Sequence, residues 1–115
     1  MFEVIKSEYG NELGAFEFDY LGGHPSLDVL LINADVKLYE KGLRILTGLS
    51  SDSLFVEWSH IKGVICTGNI KTLIHLKTDE GMIKLLREKK TTDVCQFMKL
   101  LKTLAPGIKI EYVKS

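Results

Sequence analysis

Polar and apolar residues alternate along most of this chain, and the alternation changes period once. Over residues 28–39, Leu30, Ile32, Ala34, Val36 and Leu38 share one parity, while Asn33, Asp35, Lys37 and Tyr39 share the other. A period of two with one apolar face marks an antiparallel strand that is wet on its outer side. The same reading puts Phe16, Phe18 and Tyr20 inward on an earlier strand, with Glu17 and Asp19 outward. Leu43 and Ile45 flank Arg44, and Leu54, Val56 and Trp58 alternate with Phe55 and Glu57. Ile70, Thr72, Ile74 and Leu76 alternate with Lys71, Leu73, His75 and Lys77. Short strands near residues 63–67 and 82–87 bring the set to seven.

Compact turns separate these runs: Glu40-Lys41-Gly42, Thr67-Gly68-Asn69 and Thr78-Asp79-Glu80-Gly81. Glycine takes the left-handed position of a hairpin at no steric cost, so each strand is expected to pair with the next in a meander. Past residue 91 the period becomes helical. Val94, Phe97, Met98, Leu101 and Leu104 recur at three- and four-residue steps and predict one helix over 92–105. Thr91 or Thr92 caps its start, Asp93 suits the positive end of the dipole, and Lys99 and Lys102 lie toward the negative end. Pro106-Gly107 stops it.

Seven strands with a single apolar face must curl over or pack on something, and the helical stripe is suited to plug the open end. The expected class is therefore mainly β: a seven-stranded antiparallel barrel capped by one C-terminal helix. Ile32, Val36 and Trp58 should face its interior. Residues 1–14 read as a weak strand or an arm, and 15–105 as the domain. In the tail, 106–115, the alternation of Ile108, Ile110 and Tyr112 allows an extra edge strand.

A chain of 115 residues suffices for one domain with a single core. Its 45% hydrophobic and 26% charged content is that of an ordinary globular protein. The formal charge is zero, so no overall field draws it to nucleic acid or an acidic membrane. The charge is unevenly spread. Residues 1–36 hold seven acids against Lys6 alone, and the remainder holds fourteen bases against eight acids, so an acidic end and a basic end are expected. The longest apolar run is Val29-Leu30-Leu31-Ile32, too short for a membrane-spanning helix, and the first residues lack an export signal. Cys66 and Cys95 have neither metal nor redox spacing, sit in apolar-patterned segments and read as buried, reduced thiols. A cytoplasmic protein is expected.

The order Tyr20-Leu21-Gly22-Gly23-His24-Pro25, then a strand, then Lys41-Gly42-Leu43, then Glu57-Trp58-Ser59-His60-Ile61 resembles the bacterial PH-like domain family with its "YLGGHP" start. The resemblance covers residues 15–105 and implies a PH-like barrel, in most members without an assigned activity. Such domains commonly precede a SHOCT oligomerisation module. These residues end ten after the predicted helix, so no such module is expected among them.

Phosphoinositide binding by PH domains needs Lys and Arg on the first two strands and the loop between them. No Lys or Arg lies between Lys6 and Lys37, and Glu17, Asp19 and Asp28 occupy that region, which argues against it. A different basic patch is conceivable from Lys37, Lys41, Arg44, Lys84, Arg87, Lys89 and Lys90 on late hairpins, and would suit an anionic lipid surface. Gly22, Gly23 and His24 form a candidate loop. The glycine pair lacks the helix start and Lys-Ser/Thr of a phosphate loop, so a tight strand exit stiffened by Pro25 is the expectation. His24, His60 and His75 have no metal-ligand spacing, and neither the 50–53 serine cluster nor Asp79-Glu80 has the setting of a catalytic group. Trp58 reads as core, and Phe55 and Tyr39 as outward aromatics.

The expectation is thus a binding module that is not an enzyme and has no cofactor, metal or nucleic-acid ligand. The fold that the resemblance implies has a groove between its fifth strand and C-terminal helix, where a peptide can add as a strand. Here that groove would comprise Lys62, Val64 and Cys66 beside Val94, Gln96 and Lys99. The expected partner is a protein or peptide, or a second copy paired through a sheet edge. The alternative is a peripheral membrane adaptor using the basic hairpins.

Overall fold

The computed structural model describes residues 9–46, 53–68, 71–87 and 91–113, apart from the side chains of Thr91 and Thr92. Ile70, Lys89 and Lys90, and the 50–52 part of the serine cluster, lie outside the described residues. The strands are β1 (Glu12–Tyr20), β2 (Leu31–Tyr39), β3 (Gly42–Leu46), β4 (Ser53–Glu57), β5 (Ile61–Gly68), β6 (Thr72–Thr78) and β7 (Met82–Arg87). A 3₁₀ turn, Trp58–His60, joins β4 to β5. Helix α1 (Thr91–Leu104) and a last strand, β8 (Lys109–Val113), follow.

All eight strands belong to one sheet in the order β4-β3-β2-β1-β7-β6-β5-β8. β1 to β4 form one antiparallel meander and β5 to β7 another, with β1 and β7 joining them. Two features depart from a simple meander. β4 and β5 do not pair, because the 3₁₀ turn separates them, so the curled sheet keeps an open seam. β8 returns after the helix and runs parallel to β5, with Val64 opposite Ile110 and Cys66 opposite Tyr112. The tail strand exists, and it closes the β5 edge.

The interior is built from the predicted parity, with Ile83 and Leu85 of β7 added to it. Phe18, Tyr20, Val36, Leu38, Leu43, Ile45, Ile74, Leu76, Ile83 and Leu85 are buried from the sheet. Phe97 and Leu101 are buried from α1, and the Phe97 ring meets Phe16 edge-on at 5.4 Å and Phe18 at 4.9 Å between centroids. Such T-shaped contacts add to the area that the rings bury and fix how the helix sits across the barrel end.

Ile32 is the exception. Phe18 faces Ala34 and Tyr20 faces Leu31, so two steps along β1 are matched by three along β2. The extra residue makes a bulge, with Asn33 at a φ of 55°. A bulge reverses parity on its far side. Leu31 therefore packs on the core, while Leu30 and Ile32 stand in solvent, and the strand does not extend back to Asp28.

Trp58 is half-buried against the core and donates its indole N–H to the Tyr39 carbonyl at 2.9 Å. Tyr39 and Phe55 lie on the outer face as expected, yet neither is an open aromatic. Tyr9 covers both, with ring centroids 5.4 Å and 4.2 Å away, and the Arg44 guanidinium lies 5.4 Å from the Tyr9 ring.

Candidate functional site

Gly22 and Gly23 leave β1 with φ values of 87° and 105°. A Cβ on Gly23 would lie 1.8 Å from the Met82 carbonyl oxygen, and one on Gly81 would lie 2.3 Å from the Gly23 oxygen. The β1 exit and the β6–β7 turn are thus in backbone contact that only glycine allows. His24 is buried there. Its Nδ1 accepts the Ser26 N–H at 3.1 Å, and its carbonyl accepts the Leu27 N–H at 3.1 Å. The candidate loop is a clasp closing the barrel wall, with its polar groups satisfied internally.

Beside the clasp, at the open seam, lies a cavity of about 240 Å³ lined by His24, Glu57, His60, Asp79 and Glu80 among others. The Asp79 carboxylate in it is already engaged. His60 Nδ1 sits 3.1 Å from one Asp79 oxygen and Lys62 Nζ 3.4 Å from the other, while His24 Nε2 is 3.8 Å from Glu80. Among the described residues no three His, Cys, Asp or Glu side chains converge as metal ligands do.

The predicted basic patch is not assembled as one surface. Lys41 lies in the β2–β3 turn, where its N–H bonds to the Tyr9 carbonyl. Arg44 is engaged with Tyr9, and Lys84 pairs with His75 at the other end of β1, where its carbonyl accepts the Leu21 N–H. Arg87 donates to the Glu17 carbonyl and, at 2.9 Å, to the Asp93 carboxylate. Lys84 leaves a mark on its neighbour: burial first, and Lys84 second, push the His75 imidazole below its usual range.

The predicted peptide groove is corrected in a specific way. The β5 edge cannot take an added strand because β8 already occupies it. Val64 is buried in the core, Lys62 points to Asp79, and Gln96 lines a separate cavity with Phe16, Arg87 and Asp93. Cys66 and Lys99 do come together. They line a groove of about 490 Å³ between α1, β8 and the β5–β6 end, with Val94, Met98 and Tyr112 as apolar lining and Lys102 beside Lys99. Helical spacing explains the α1 part: Val94 and Met98 share one stripe, and Cys95, Lys99 and Lys102 the next. Neither Lys99 nor Lys102 has an ion-pair partner among the described residues. Cys66 and Cys95 are free thiols, but Cys66 is only half-buried and Cys95, on the outer side of the α1 stripe, is exposed where burial was expected; burial, reinforced by Cys95, pushes the Cys66 thiol up. Sequence reasoning missed Met98, Lys102 and Tyr112 as lining residues, because they meet only once β8 has returned beside β5.

The solved structure of the Spt16D Pob3N heterodimer is similar to this chain, with a TM-score of 0.60 over 90% of it at 14% identity. The fold is PH-like. The match takes in 57% of that other chain, so this chain spans little more than half its length. No protein-family model and no curated protein matches the sequence.

Proposed function

We propose that this chain is a non-catalytic PH-like binding module that takes a segment of another protein into the groove between α1 and β8. The observation that carries this reading is the groove itself. It is concave and apolar, and it is edged by two ammonium groups with no carboxylate partner among the described residues. A pocket with an apolar lining and a few convergent polar groups is the usual form of a recognition site. Lys99 and Lys102 would favour a segment with acidic residues beside apolar ones. Membership of the bacterial family with the YLGGHP start rests on the motif residues, which form the clasp at the β1 exit. Free thiols suit a reducing compartment, the cytoplasm.

The non-catalytic part of the proposal rests on the seam cavity, where Asp79 is held by Lys62 and lies against His60 in partly exposed positions. The lipid reading draws no support from the dispersed Lys41, Arg44, Lys84 and Arg87. The test is fluorescence anisotropy with a panel of labelled peptides that vary in acidic and apolar content. Acidic–apolar members should bind saturably, and Lys99→Glu with Lys102→Glu, both at exposed positions, should abolish binding. Failure of every peptide to bind would overturn the proposal.

A further inference from the structure

Four large aliphatic side chains stand in solvent where β1 ends and β2 begins: Leu30 at 62% exposure, Ile32 at 61%, Val29 at 46% and Leu21 at 37%. Val29, Leu30 and Ile32 follow one another in the chain, and Gly22, next to Leu21, approaches the Val29 main chain, where a Cβ would lie 3.7 Å from the Val29 carbonyl. Contiguous exposed apolar side chains mark an interaction surface where isolated ones do not. The chain holds this ridge outward against its own alternation. Asn33 adopts a left-handed φ of 55°, and Asp19 Oδ1 accepts the Asn33 N–H at 2.9 Å. Without that bulge Ile32 would point into the core.

Residues 19–35 carry Asp19, Asp28 and Asp35 and no Lys or Arg, while on the neighbouring β7 lie Lys84 and Arg87, the latter already engaged with the Glu17 carbonyl and Asp93. The α1–β8 groove has the opposite character, an apolar lining edged by Lys99 and Lys102. Both surfaces are open in the single chain, so neither covers the other within it. The formal charge of zero conceals this division, which follows the seven acids among the first thirty-six residues and the excess of bases in the rest.

We infer that the ridge at residues 29–32 of one copy seats in the α1–β8 groove of a second copy, with Asp28 facing Lys99 and Lys102. The inference rests on reading the groove as a protein-docking site and names its occupant. Each copy offers both surfaces, so two copies can exchange the contact reciprocally about a two-fold axis or pass it on into a ring or an open filament. An anionic membrane is a poor occupant for the ridge, because its acidic border would be repelled.

Two variants test this in the full chain. Leu30→Glu with Ile32→Glu removes the ridge, and Lys99→Glu with Lys102→Glu reverses the groove edge. All four positions are exposed, and unchanged melting curves would show that both variants fold. By size exclusion with light scattering at high micromolar concentration, wild type should exceed the 13.0 kDa monomer. Each variant alone should lose self-association by at least about thirtyfold, the effect of spoiling a central contact. Mixing the two should restore a complex of one each, because one retains the groove and the other the ridge. The inference is overturned if wild type is monomeric, if either variant still assembles, or if the mixture stays monomeric. A monomer that still binds acidic–apolar peptides would leave the groove reading intact, whereas a monomer that binds none would remove both. Flotation of monomeric wild type on vesicles, lost in the ridge variant, would overturn the inference in favour of a membrane.

Discussion

The Tyr20 hydroxyl, fully buried at the end of β1, donates a hydrogen bond to the main-chain carbonyl of Leu27, seven residues on. This bond pins the β1–β2 connection across the clasp made by Gly23 and His24. Burial first, and the Asp28 charge second, push the phenol up to about 12 from 10.0, against a smaller lowering by the main chain of His24. The folded state therefore holds the Tyr20 proton more tightly than the unfolded state. Stability from this group is full below pH 10.0 and falls as pH rises toward 12. The expected loss is on the order of 2–3 kcal/mol across that window. Tyr20→Phe should cost about 1–2 kcal/mol at neutral pH, because the Leu27 carbonyl loses its partner. It should also flatten the alkaline slope. Urea denaturation of both proteins from pH 9 to 12 checks the pair of effects.

Gly23→Ala should be among the most damaging single changes outside the core. The new methyl would lie 1.8 Å from the Met82 carbonyl, on a backbone at a φ of 105° that side chains rarely adopt. Neither main chain can yield without opening the clasp, so a loss of about 3 kcal/mol or more is expected. Gly107→Ala is the control, since nothing lies within 4 Å of a Cβ there. Thermal melts should place the two variants far apart.

At Asn33 the order of substitutions is diagnostic. Asparagine tolerates a left-handed backbone and glycine adopts it freely, whereas a β-branched side chain resists it. Asn33→Gly should be close to neutral, and Asn33→Val should cost about 1–2 kcal/mol. Asp19→Ala should weaken the same bulge by about 1 kcal/mol through the lost bond to the Asn33 N–H. Equal stability of the glycine and valine variants, measured by urea titration, would refute the bulge.

The contrast between Ile32 and Phe97 shows how far the sequence could be read. Phe97 lies in a helical stripe whose spacing is local, so its burial follows from residues 94–104 alone. The inward parity of Val36, Leu43, Ile45, Ile74 and Leu76 is equally local. Ile32 required knowledge of strand register, because a bulge is a relation between β1 and β2 and leaves no periodic trace in either. Asn33 was the available signal, as a residue at home in left-handed backbone within a strand. Tyr39 and Phe55 had the predicted parity but acquired a cover from Tyr9, at a distance in sequence that alternation does not reach. The groove was half legible for the same reason: Cys66 and Lys99 were named, but Tyr112 arrives on a parallel strand that no hairpin rule anticipates.

Arg87 joins three elements by donating from β7 to the Glu17 carbonyl on β1 and to Asp93 at the start of α1. A guanidinium can reach two acceptors at once from a rigid fork, and an ammonium cannot reproduce that geometry. Arg87→Lys should therefore destabilise nearly as much as Arg87→Met, each by roughly 1 kcal/mol. The figure is modest because Asp93 is partly exposed and its ion pair is screened by solvent. Raising the salt concentration should narrow the difference between wild type and the Met variant only slightly, since the bond to the Glu17 carbonyl is not an ion pair. Denaturant midpoints at low and high salt test this.

The two thiols should differ in reactivity although they line the same groove. The thiolate is the reactive species, and Cys66 is half-buried with its thiol pushed up by burial and by Cys95, whereas Cys95 is exposed on α1. At about pH 8, near the ordinary thiol range, iodoacetamide should modify Cys95 roughly tenfold faster than Cys66. In Cys95→Ser, Cys66 should react somewhat faster than in wild type, because the charge that opposes its ionisation is gone. Denaturant should bring the two rates together. Mass spectrometry of timed samples distinguishes the sites, and equal rates in the folded protein would contradict the placement of Cys66 beneath the helix. A bulky maleimide on Cys95 should also obstruct the groove, so peptide binding and self-assembly should fall together in the labelled protein and persist in labelled Cys95→Ser.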